Sequence, residues 1–79
     1  MSIIEMGRKI VAELNNNDMG AVGMLGIITK YAGYLECDLD KIFENGVRNI
    51  KLYYGKEWGL IRRDGNEWIF EYGGEIINE

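Results

Sequence analysis

Ile50 to Tyr72, IKLYYGKEWGLIRRDGNEWIFEY, is the stretch whose reading decides the fold. Apolar and polar residues alternate along it, with Gly55-Lys56 and Asp64-Gly65 placed where tight turns would fall. Strand side chains point alternately to the two faces of a sheet, and Asp-Gly is a strong signal for a type I′ hairpin. Three strands are therefore expected, at about 49–54, 57–63 and 66–72, folded as an antiparallel meander.

Two-residue loops would pair Tyr54 with Glu57 and Arg63 with Asn66. One face then carries Ile50, Leu52, Tyr54, Ile61, Trp68, Phe70 and Tyr72, with Gly59 between Leu52 and Phe70. The other carries Lys51, Tyr53, Trp58, Leu60, Arg62, Glu67, Ile69 and Glu71, with Arg62 opposite Glu67 as a favourable cross-strand pair. The first set is expected to pack against helices. A three-residue second loop would instead turn Trp68 and Phe70 outward and enlarge the outer aromatic cluster. Gly73-Gly74 is expected to break the sheet and leave 73–79 as a tail.

Upstream the period is helical. Ser2-Ile3-Ile4-Glu5 reads as a capping box, and Ile3, Met6, Ile10, Val11 and Leu14 form a stripe opposite Arg8, Lys9 and Glu13. This gives a helix at about 3–15, ended by Asn15-Asn16-Asn17-Asp18, where Asn17 or Asp18 can cap the next. The run Met19–Leu35, MGAVGMLGIITKYAGYL, is apolar nearly all round and predicts a buried helix at about 19–35. Gly20, Gly23 and Gly26 make a side-chain-free strip along it. Each interior Gly disfavours helix by ~1 kcal/mol relative to Ala, so close packing against the first helix is expected to offset them. Asp38 would cap a third helix at about 39–45, with Leu39, Ile42 and Phe43 as its apolar edge and Gly46 at its end. The expected fold is one α+β domain over 1–79: three N-terminal helices, then a three-stranded antiparallel meander.

Seventy-nine residues make one small domain that buries only roughly 60–65% of its unfolded surface, so burial against a partner or a second copy would help it. A hydrophobic content of 47% with 28% charged residues excludes intrinsic disorder. The one cysteine, Cys37, gives no disulfide framework. The N-terminus mixes Glu5, Arg8 and Lys9 into its apolar residues and is not a signal peptide, and Met19–Leu35 carries Lys30 and is too short to span a bilayer as a helix. A cytoplasmic protein without membrane contact is expected.

Net charge is −4, and all the excess acid lies from Glu36 onward. Such a surface repels phosphate backbones and suits either solubility or a basic partner.

Catalytic chemistry lacks its usual groups. Histidine is absent, and Ser2 and Thr29 are the only hydroxyl side chains of their kinds. Cys37 has no histidine to activate it, and zinc would need Cys or His clusters. The glycines match no phosphate-binding pattern. Asp38, Asp40 and Glu44, and the Asp64-Gly65-Asn66-Glu67 run, fit a helix cap and a turn better than a calcium loop. No enzyme activity, metal or cofactor is expected. In size and lack of catalytic groups the chain resembles, as a loose class, small phage-encoded inhibitors, including some anti-CRISPR proteins. Frequent Ile, Asn, Glu and Tyr agree with an AT-rich coding source such as a phage or a low-GC bacterium.

The expected activity is thus binding: a small non-catalytic module that inhibits or regulates a larger protein. Its expected site is the outer sheet face, with Tyr53, Trp58, Leu60 and Ile69 at the centre and Lys51, Arg62 and Glu67 on the rim. The partner would be another protein or a second copy, and tight duplex DNA binding is not expected. One alternative is a winged-helix-like nucleic-acid-binding regulator with Arg62 and Arg63 at the wing tip, although its recognition helix would be acidic. A self-assembling structural protein is the other.

Overall fold

A computed structural model describes residues 1–16, 21–37 and 49–76. Helix α1 spans Ile3–Asn16 and α2 spans Ala21–Lys30. Strands β1 (Leu35–Glu36), β2 (Asn49–Tyr54), β3 (Glu57–Asp64) and β4 (Glu67–Glu75) form one antiparallel sheet in the order β1-β2-β3-β4. The α+β class and the meander agree with the sequence reading. The expected third helix at 39–45 lies outside the described residues, as do Asn17 and Asp18.

The capping box forms: the Glu5 amide donates to Ser2 Oγ at 3.1 Å, and Ser2 Oγ donates to Glu5 Oε1 at 3.3 Å. Ile3, Met6, Ile10 and Leu14 then bury the stripe of α1 against Ile50, Leu52, Ile61 and Trp68 of the sheet. From α2 and the turn after it, Ile27 and Tyr31 join this cluster. The inner face follows the expected alternation, with Gly59 buried among these residues and Tyr54 and Phe70 half-buried. Tyr72 departs from it. It stands 48% exposed at the end of that face, its hydroxyl donating to Glu57.

The central helix is shorter than expected. It stops at Lys30, not Leu35, because Gly33 adopts a left-handed φ of 96°. The preceding bonds tighten to three-residue steps, Ala32 to Thr29 at 3.1 Å and Tyr34 to Tyr31 at 3.0 Å. Leu35-Glu36 is thereby turned into the sheet opposite Leu52 and Lys51, a fourth strand too short to read from periodicity. Among the described residues, no helix packs on Gly26. Gly23 and Gly26 are exposed, and a β-carbon on Gly26 would meet nothing within 4 Å. Val22 is 82% exposed, so this helix is not buried all round.

Both hairpins have two-residue loops, but the second is Gly65-Asn66, not Asp64-Gly65. Gly65 takes the first loop position with φ 62°, as Gly55 does in the first hairpin, and Asn at the second position tolerates a left-handed backbone. Asp64 now pairs with Glu67 and Arg63 with Trp68, a register two residues from the expected one. A shift of two preserves which face each side chain occupies. It does change partners: Arg62 stands opposite Ile69, not Glu67.

Gly73-Gly74 does not break the sheet either. β4 runs on to Glu75 through a bulge at which Gly59 faces Tyr72 and Trp58 faces Gly74, leaving Gly73 as the extra residue. Gly74 has φ 129°, and the indole of Trp58 lies so close over Gly73 that a β-carbon there would come within 2.5 Å of it. Glycine lets the strand continue at both positions.

Candidate protein-binding surface

On the outer face the register lays the side chains in rows. Tyr53 faces Trp58, which faces Gly74 across the bulge. Lys51 faces Leu60, which faces Glu71, and on the other side of Lys51 lies Glu36 of β1. Asn49, Arg62 and Ile69 form the third row. Tyr53, Trp58, Leu60 and Ile69 thus make one contiguous apolar patch, all four half-buried. Trp58 owes its burial in part to its own sheet, since the indole covers Gly73.

Six of the seven residues expected at this site lie in these three rows; Glu67 does not. It sits at the hairpin tip beside Asp64, one row beyond Arg62 and Ile69, because the second loop falls one residue later in the chain. Glu71 takes its place: Arg62 donates to Glu71 through Nε at 2.8 Å and Nη2 at 2.7 Å. The rim therefore consists of Lys51, Arg62, Glu71 and Glu36, with Glu67 apart. Glu71 was already assigned to this face from the alternation, whereas Glu36 carried no signal before β1 was known.

Arg62 and Arg63 lie on opposite faces of β3. Arg63 extends over the inner-face Trp68 ring, 5.8 Å from its centroid. Cross-strand ion pairing holds the first arginine and ring stacking the second, so the two do not form a joint cationic tip.

A second surface lies along the edge of β4 that no strand pairs among the described residues, where α1 and the strand enclose a groove of about 510 Å³. At its end Asn15 reaches the strand: its Nδ2 donates to the Trp68 carbonyl at 2.9 Å, and the Trp68 amide donates to its Oδ1 at 2.7 Å. The sequence reading took Asn15 only for a helix stop. Nothing in spacing or composition marks an Asn whose partner is 53 positions away.

Behind the helices, the Glu13 carboxylate accepts from Lys30 Nζ and the Tyr31 hydroxyl, tying α1 to α2. The hydrogen bond from Lys30 is the largest cause holding the Glu13 carboxyl below its ordinary range, followed by that from Tyr31. Burial, then the bond to Glu13, raises the Tyr31 phenol. Among the described residues, no group of three or more His, Cys, Asp and Glu gathers in a metal-binding arrangement. Cys37 is half-buried beside a crease lined by Leu25, Ile28 and Leu35. Among the described residues, no helix is long and apolar enough to cross a membrane. No protein-family model matches the chain, and neither does any curated protein or solved structure at a significant level.

Proposed function

We propose that this chain is a non-catalytic protein-binding module that inhibits or regulates a larger protein through its outer sheet face. Tyr53, Trp58 and Leu60 are the anchors, Ile69 extends them, and Lys51, Arg62 and Glu71 form the charged border. The observation that carries this reading is the contiguity of four large apolar side chains on the face opposite the helix-packed core. Large aromatics inside a charged border are the usual composition of an interface centre.

The winged-helix alternative has less support, because Arg62 is engaged by Glu71 and Arg63 by Trp68 in an acidic protein. Self-assembly through the same face remains an outcome of the test.

Affinity capture from a lysate of the source cells, run in parallel with the parent and Trp58→Ala proteins, tests the proposal. A protein retained by the parent and lost with the folded variant supports it. Equal capture by both, or salt-sensitive retention of nucleic acid alone, overturns it.

A further inference from the structure

We propose that the outer edge of β4, at Phe70 and Tyr72, accepts an extended segment of a protein partner as an added antiparallel strand. The segment would be apolar on its groove side and basic on the other. This surface is separate from the outer face and does not depend on the function proposed above.

In an antiparallel ladder, successive residues turn their amide and carbonyl alternately toward and away from the neighbouring strand. Both backbone groups of Trp68 bond Asn15, on the side away from β3. The same alternation turns the backbone of Phe70 and then Tyr72 to that side. Among the described residues no strand pairs there, because β4 is last in the sheet order. Asn15 therefore closes the edge at one end and leaves the next positions open. Beside them the groove offers Ile4 and Val11 from α1 and the Phe70 and Tyr72 rings from the strand, with Arg8 at its rim. Strand addition draws affinity from such a row of backbone groups and specificity from alternate side chains.

Charge decides the occupant. With Trp68 taken by Asn15, a second copy would pair through Phe70 and Tyr72 in the register centred on Glu71. That register sets Glu71 against Glu71 of the second copy, while the bulge at Gly73 puts Glu75 on the inner face, away from Glu67. Arg62 offsets Glu71 in part, but like charges directly opposite are destabilising, and two chains of net charge −4 repel each other as a whole. A foreign strand with Lys or Arg on its outer side meets Glu67 and Glu71 favourably. Its groove-side residues, opposite Phe70 and Tyr72, would be apolar.

The test uses the full chain, isotope-labelled for amide NMR, and a blocked peptide of about seven alternating Val and Lys residues. Saturable binding with slowed exchange of the Phe70 and Tyr72 amides is expected. N-methylation at the Val residues, whose amides would face β4, should weaken binding at least about ten-fold, whereas N-methylation at Lys should not. Replacing Lys by Glu should weaken it comparably. Tyr53→Ala, on β2 two strands from this edge, should leave the affinity unchanged, which keeps this result distinct from that of the outer face. The proposal is overturned by no saturable change at about 1 mM peptide, by changes confined to Tyr53, Trp58 and Leu60, or by equal effects of the two methylations. Concentration-dependent protection of Phe70 without peptide would assign the edge to a second copy and overturn it too.

Discussion

Gly7 of α1 lies directly beneath the ring of Phe70, so near that a β-carbon at Gly7 would fall 2.6 Å from the ring. The far edge of the same ring bears on Gly59 of β3, where a β-carbon would come within 2.4 Å of it. The helix thus approaches the sheet at a point where one aromatic side chain fills the gap between two glycines. Gly7→Ala should improve helix propensity yet destabilise the fold by about 1–3 kcal/mol, because the ring must leave its place. Gly26→Ala should do the opposite, stabilising by up to about 1 kcal/mol, since its β-carbon meets open space. Urea unfolding of both variants checks the pair. Equal effects of the same sign would show that Phe70 yields freely.

The contrast between Gly7 and Gly26 also marks how far the sequence could be read. Alternation over Ile50–Tyr72 was enough to sort inner from outer residues, because face assignment depends only on parity. The identity of each cross-strand partner depends on the turn, and Gly65-Asn66 competes with Asp64-Gly65 on nearly equal local terms. The three-residue spacing of Gly20, Gly23 and Gly26 suggested a helix contact; among the described residues, Gly26 faces open space, and Ile27 and Tyr31 carry the packing of that segment. Gly7 gave no local signal, since its reason is a ring 63 positions away. The outer apolar patch was legible for the same parity reason as the core. Asn15 was not, because a side chain that bonds a distant strand edge leaves no period.

The Glu13 link between the helices gives the fold a pH dependence. The folded Glu13 carboxyl is held below its ordinary range, first by the Lys30 hydrogen bond and then by that of Tyr31. A carboxyl lowered on folding stabilises the protein above its unfolded pKa, and that contribution is lost as pH falls through the lower folded value. Stability should therefore decline below about pH 4.5 more steeply in the parent than in Glu13→Gln. Tyr31 acts at the other end. Its raised phenol contributes stability below its ordinary value near 10, lost as pH rises through the higher folded one. Thermal midpoints measured from pH 3 to 6 in about 150 mM salt check the acid limb. Parallel curves for parent and variant would show the link contributes nothing.

Trp58 serves two ends, and one variant separates them. Its indole covers Gly73, so removing it costs some folding stability, but the side chain is only half-buried. Trp58→Ala should lower stability by about 1–2 kcal/mol, short of the ~3–5 kcal/mol typical of a core aromatic. If it anchors a partner, binding should fall by ~2 kcal/mol or more under conditions where the variant is fully folded. A full core-sized loss of stability with intact binding among folded molecules would place Trp58 in the fold and outside the interface.

Asn15 guards the edge of β4, and its removal should change how the protein associates. Asn15→Ala deletes both bonds to the Trp68 backbone, at 2.9 and 2.7 Å. Solvent can replace them, so the direct loss should be only about 1 kcal/mol. The larger effect is on register. With the backbone of Trp68 open, two copies can pair antiparallel about Phe70, a register that Asn15 blocks in the parent. Phe70 then faces Phe70 of the second copy, Trp68 faces its Tyr72, Glu71 faces its Ile69 and Glu67 faces its Gly73. No two carboxylates stand directly opposite, and aromatic residues meet across the strands. An exposed edge of this kind is a template for pairing unless something occupies it. Sedimentation velocity over a range of concentrations should show Asn15→Ala associating more strongly than the parent, with its Trp68 and Phe70 amides protected in the associated form. Asn15→Ala that loses stability yet associates no more than the parent would reduce Asn15 to a strut between α1 and β4.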